Sequence, residues 1–189
     1  MRPNLLALTA LITATTLAAA IEPTAQPSEP ATPTPASTPA RSATVLTIRN
    51  AASKDSKSLA LTTADFKAMP HRTLTVKDKD AQPITYSGVT VEDILTKAGV
   101  PLGSSLKGQR LRDYLLAEAT DGYAVVFALP ELSADYTDRV VIVADAADNK
   151  PLSDKDGPLK IIVSDEKKHA RSVRNLTTLT VHTCEKESN

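Results

Sequence analysis

The chain has no tryptophan, two phenylalanines, four tyrosines and one cysteine among its 189 residues. So few rings leave the filling of any core to Val, Ile and Leu. The lone cysteine, Cys184, rules out an internal disulfide and every paired-cysteine redox or zinc motif. His71, His169 and His182 fall in no H-x-x-x-H spacing, so neither they nor Cys184 form a tetrahedral ligand set by spacing. In HTCEKESN, Cys184 reads as a terminal thiol, free or paired with another chain. The six glycines occur singly, which excludes a glycine-rich phosphate loop. No serine sits in a G-x-S-x-G turn. Excess charge is missing as well, since 22 Lys and Arg balance 22 Asp and Glu. A neutral chain lacks the positive field behind nonspecific nucleic-acid binding, so no nucleic-acid partner is expected.

What is present begins with an address. Arg2 precedes an uncharged run, LLALTALITATTLAAA, that ends in small residues. This is the pattern of a cleavable signal peptide over 1–20, cut after Ala20. The run is shorter than a membrane span usually needs, so no permanent anchor is expected once it is removed. Only one arginine precedes it, with no R-R pair, so the general secretory route is expected and the location is periplasmic or secreted. Residues 21–42, largely EPTAQPSEPATPTPASTPARS, hold Pro, Thr, Ser and Ala but no large apolar side chain after Ile21. Nothing there offsets the entropy of ordering, so the segment reads as a disordered, extended spacer.

Residues 43–184 are expected to form one domain, followed by a tail at 185–189. ATVLTIR (43–49) is rich in β-branched residues and predicts a strand. LTTADFKAMP (61–70) predicts a short helix with Thr62 and Asp65 as a capping box, stopped by Pro70. HRTLTVK and QPITYS predict two strands around a charged turn. In SGVTVEDILTKAGV, Thr90 can cap a helix whose Val91, Ile94, Leu95 and Ala98 share one face, with Gly99 closing it. LRDYLLAEA, TDG and YAVVFAL predict a hairpin over 113–129. PELS (130–133) is at most one helical turn. RVVIVADA, PLKIIVS and NLTTLTVHT predict three further strands. The class is therefore α+β, a mixed strand-rich sheet with two or three short helices.

Most carboxylate pairs, such as Asp154 and Asp156, lie in predicted turns, where Asp commonly bonds local backbone. D-K-D-G at 154–157 is too short for a calcium loop. The basic run KKHARSVR stands out. It places Lys167, Lys168, His169, Arg171 and Arg174 just before the last strand, a set suited to an oxyanion or phosphate. The competing reading is a solvated loop partly neutralised by Asp165 and Glu166. An anion site requires Lys167, Lys168, Arg171 and Arg174 to converge on one concavity.

The order of LTTADFKAMP, YSGVTVEDILTKAGV, ATDGYAVVFALPEL, VADAADNKPLSDKDGPLKIIVSDEKK and ARSVRNLTTLTV resembles the oxidoreductase molybdopterin-binding domain of the sulfite oxidase family, in its small stand-alone form. The resemblance implies a mixed fold around a curled sheet. In the full enzymes it implies molybdenum held by a pterin dithiolene and one cysteine sulfur, with the pterin phosphate met by basic residues. Only Lys167, Lys168, Arg171 and Arg174 match such a phosphate site. The ligating cysteine of the enzymes falls in the stretch that here reads HRTLTVKDKDAQPITYSGV (71–89), which has none. Without that soft ligand no metal is expected.

Three functions follow as expectations. The first is a cofactor-free, non-catalytic module that binds a small anionic ligand or an envelope protein. The second is a periplasmic oxidoreductase that retains molybdopterin without a protein thiolate. The third is an envelope scaffold held off a surface by the spacer.

Overall fold

The β-branched segments become ten strands in two five-stranded sheets among the described residues. The computed structural model describes residues 43–53, 57–77 and 80–184, all within one compact unit. The signal, spacer and tail segments at 1–42 and 185–189 lie outside the described residues. One sheet contains β1 (Thr44–Asn50), β2 (Leu59–Thr62), β5 (Asp113–Ala119), β6 (Ala124–Ala128) and β10 (Leu176–Thr183), in the order β2-β1-β10-β5-β6. The other contains β3 (Arg72–Lys77), β4 (Pro83–Thr90), β7 (Val141–Ala147), β8 (Lys150–Pro151) and β9 (Lys160–Val163). In it β4 lies between β3 and β7, and both β8 and β9 pair with β7. β1 and β10 run parallel, and the other pairs are antiparallel.

The α+β class is as expected, but two sheets stand where one was read, and neither β2 nor β8 was foreseen. The reason is visible in β7 and β9. Val141, Val143, Ile161 and Val163 enter the main core, while Ile142, Ala144 and Ile162 enter a second cluster with Tyr86. A strand with apolar residues on both faces needs cover on both. The main core also takes Leu46, Ile48, Leu115, Phe127, Leu179 and Val181 from the first sheet. The second cluster lies on the other face of the second sheet, against Leu74, Val76 and Ile84.

Two short α-helices fill the corners. In α1 (Thr63–Lys67), the Asp65 backbone N–H donates to Thr62 Oγ1 at 3.1 Å, and the Thr62 N–H donates back to Asp65 Oδ2 at 3.0 Å. The Thr62 hydroxyl and backbone bonds hold the Asp65 carboxyl below its ordinary pKa. In α2 (Val91–Lys97), the Asp93 N–H donates to Thr90 Oγ1 at 3.0 Å, and Val91, Ile94 and Leu95 are fully buried, as their spacing predicts. Four 3₁₀ turns, Gly103–Ser105, Gly108–Arg112, Leu129–Leu132 and His169–Arg171, complete the described helical residues.

β4 passes so close to β7 at Gly88 that an added Cβ would lie 2.1 Å from the Val143 carbonyl oxygen and 2.5 Å from Ala144 Cα. Backbone cannot yield there. Gly88→Ala is expected to destabilise the domain by about 2 kcal/mol or more, read as a lower urea midpoint with an unchanged m-value. An unchanged midpoint would mean the sheet can open without cost at this crossing.

Candidate functional site

The structure divides the basic run instead of gathering it. Arg171 faces inward. Its Nε donates to Glu166 Oε1 at 2.9 Å, its NH2 contacts the same oxygen, and its NH1 donates to both Glu131 oxygens at 3.1 Å. The guanidinium carbon lies 4.9 Å from the centre of the Phe127 ring. Arg139 adds a third bond to Glu131 at 3.2 Å. Burial works against the charge of Arg171, but its bonds to Glu166 and Glu131 outweigh this and raise its pKa above the ordinary arginine value. A raised pKa means the pairing contributes stability below the ordinary arginine range for as long as its two carboxylates are ionised. Arg171 therefore clamps the Leu129–Leu132 turn to the loop after β9 and offers no free fork to a ligand.

Lys167 and Lys168 are exposed and line neither of the two cavities that His169 and Arg174 line. His169 and Arg174, by contrast, share a cavity of about 270 Å³ on the outer face of the second sheet. Its cations come from elements that lie far apart in the chain: Lys77 ends β3, Lys155 sits in the turn before β9, Lys160 opens β9, and Arg174 precedes β10. Among the described residues Asp80 and Asp156 are the carboxylates in its wall, so four described cations face two described acids before His169 is counted.

Lys160 is the centre of this arrangement. It alternates with Ile162, so its stem lies on the apolar outer face of β9. The residue is 9% exposed. Its Nζ donates to Asp156 Oδ1 at 3.1 Å and to the Tyr86 hydroxyl at 3.3 Å, and lies 5.2 Å from the Tyr86 ring centre. Arg174 Nε approaches the same Asp156 oxygen at 3.3 Å. One carboxylate thus serves two cations and leaves both with unused donors. Gly157 makes the turn possible: its φ is +85°, and a Cβ there would strike Asn175 Cα at 2.6 Å. A second hollow, about 260 Å³, shares His169, Ser172 and Arg174 with the first and reaches Tyr123, whose hydroxyl donates to the Ala170 carbonyl at 2.5 Å.

The charged run revealed His169 and Arg174 from sequence alone. It did not reveal Lys77, Lys155 or Lys160. The lysine in P-L-K-I-I-V carries a signal, a cation in phase with a buried isoleucine, but only once the outer face of β9 is known to be covered. Asp156 was visible as a turn carboxylate, and its bonds extend beyond its own turn to Lys160 and Arg174.

The donor set does not fit a thiolate-ligated molybdenum. The 71–89 stretch forms β3, β4 and one wall of the basic cavity without a soft ligand, while exposed Cys184 follows β10 in the other sheet. Among the described residues no three His, Cys, Asp or Glu side chains are grouped to hold a metal ion. No described helix is long and apolar enough to cross a membrane.

No protein-family model and no curated protein sequence matches the chain significantly. Among solved structures, the sulfane dehydrogenase SoxCD from Paracoccus pantotrophus is similar, with a TM-score of 0.56 at 18% identity. The match covers 72% of this chain and 37% of that one, so this chain spans little more than a third of its neighbour's length. At that identity the likeness concerns the fold alone.

Arg171→Ala is expected to cost about 2 kcal/mol in urea unfolding, because it takes the cation from Glu166 and leaves Glu131 with Arg139 alone in a half-buried site. Arg171→Lys should recover less than half of that loss, since one ammonium cannot replace a fork spanning two carboxylates. Full recovery by lysine would reduce the clamp to simple charge.

Proposed function

We propose that this chain is an exported, non-catalytic ligand-binding module. It uses a fold of the sulfite-oxidase molybdopterin-binding type to hold a small anion in the basic cavity of the second sheet. The observation that carries this reading is Lys160, buried among apolar residues with two of its three donors bonded, in the wall of a cavity that Arg174, Lys155 and Lys77 also line. A buried ammonium costs several kcal/mol in lost hydration, and Asp156, shared with Arg174, offsets only part of it. A bound oxyanion would supply the remaining acceptors through charge-assisted bonds. The lack of a thiolate between 71 and 89 supports a module without the metal of its enzymatic look-alikes.

A second reading, an oxidoreductase that retains molybdopterin, draws on the fold likeness to a dehydrogenase. Metal analysis of protein purified from its native host separates the two. Near-stoichiometric molybdenum favours the enzyme, and its absence together with anion binding favours the module. An envelope protein as the ligand remains the partner-based form of the first reading.

Calorimetric titration of the full-length protein with inorganic phosphate and sulfate tests the cavity. Lys160→Met and Arg174→Ala are each expected to weaken binding roughly ten-fold or more. Lys167→Ala and Lys168→Ala should leave it within about two-fold, since a solvent-exposed charge outside the cavity acts only through screened, long-range attraction. Equal losses in all four variants would mean that diffuse charge, not the cavity, holds the anion.

A further inference from the structure

A sheet edge is a row of unpaired N–H and C=O groups, and proteins guard it with charge, proline, shortness or cover. Four of the five edges among the described residues are guarded in this way. β2 is four residues long and runs directly into α1. β3 has a cation at each end, Arg72 and Lys77. β8 is the pair Lys150–Pro151. β9 gives its outer side to the returning chain, where the Ile161 N–H donates to the Val173 carbonyl at 2.8 Å. β6 is the exception. It ends the first sheet beside β5, with no described strand on its other side. Its sequence, AVVFA, holds no charge and no proline. Val126, in its middle, is 51% exposed, the most of any large hydrophobic side chain described.

The β5–β6 ladder fixes which groups of β6 point outward. The Ala119 N–H donates to the Tyr123 carbonyl at 2.9 Å, so that pair is a bonded one. Bonded and open pairs alternate along an antiparallel ladder. Val125 and Phe127 therefore turn their peptide groups to β5, while Ala124, Val126 and Ala128 turn theirs to the free edge. The Ala128 N–H is met by Glu131 Oε1 at 2.9 Å. Those of Ala124 and Val126 have no partner among the described residues.

Two features say what pairs there. A foreign strand added to an edge is selected by pockets for its alternate side chains. Five cavities in the described structure, the basic one included, take none of Ala124, Val126 and Ala128 into their walls. An antiparallel strand can also pair with its own image about a two-fold axis, provided no residue meets a like charge. Centred on Val126, that pairing sets Val126 against itself and Ala124 against Ala128 of the second copy, and β6 has no charge to oppose. We propose that the protein forms a two-fold dimer in which β6 pairs with β6 of a second copy, joining the first sheet of each into one sheet of ten strands. The Val126 N–H groups donate to each other's carbonyls, and each Ala124 N–H donates to the Ala128 carbonyl across the axis. Ala128 keeps its bond to Glu131.

One short ladder makes a weak interface, so the dimer is expected to dissociate at about 10–100 µM. Sedimentation equilibrium tests this on the chain as its native host processes it, from about 2 to about 500 µM. Reductant keeps the exposed Cys184 from linking copies. Val126→Pro removes an N–H that the monomer does not use, at an edge position where proline is tolerated. Val126→Lys sets two ammoniums against each other and tests the pairing even where the proline variant fails to fold. Each should weaken association roughly ten-fold or more. Leu111→Lys alters an exposed apolar side chain outside β6 and should leave association unchanged. Phosphate binding by both Val126 variants should also stay unchanged, which keeps failure here distinct from failure of the basic cavity. A chain that stays monomeric throughout, a dimer that survives both Val126 variants, an equal loss in Leu111→Lys, or a mass that climbs past two copies would each overturn the pairing.

Discussion

The arrangement depends on two adjacent strands, β7 and β9, that are apolar on both faces. A strand of this kind is stable only when both sides are covered. The inner side receives the first sheet and the two helices, and that packing forms the main core. The outer side receives a smaller cluster, and at its margin the chain turns through Asp156 and Gly157 and returns through the 165–175 connection. The basic cavity occurs where that second cover is incomplete. Its cations are there because the outer face of β9 must be capped by something polar where the apolar cluster ends.

That constraint also separates what local sequence can reveal from what it cannot. Thr62 with Asp65 and Thr90 with Asp93 mark their helices within four residues, and the structure uses both caps. The hairpin through Asp121 and Gly122 is equally local. The pairing of β1 with β10 is not: Thr47 lies opposite Thr178, and neither segment carries a mark of the other. The division into two sheets was illegible for the same reason. In RVVIVADA a continuous apolar run shows that a strand is buried, but not which residues face which layer.

The site shows the same limit. A compact cluster of charges in sequence, Lys167 to Arg174, drew attention because its members are neighbours. The fold gives those neighbours three fates: solvent for the two lysines, an internal clamp for Arg171, and a cavity wall for His169 and Arg174. The decisive cation, Lys160, sits alone in an apolar strand. A single charge in phase with buried residues was the more informative signal, since removing it from water requires a stated partner.

The parallel contact between β1 and β10 has a temporal consequence. The opening strand of the domain finds its central neighbour only when the closing strand has been made, and β5 waits for the same partner. Closing so long a loop before any reward is slow. A chain that emerges end-first during synthesis would therefore hold its first strand against β2 alone, and the other edge of that strand would wait on the arrival of the last strand. Completion of the polypeptide, rather than its beginning, sets the moment at which the basic cavity comes into being.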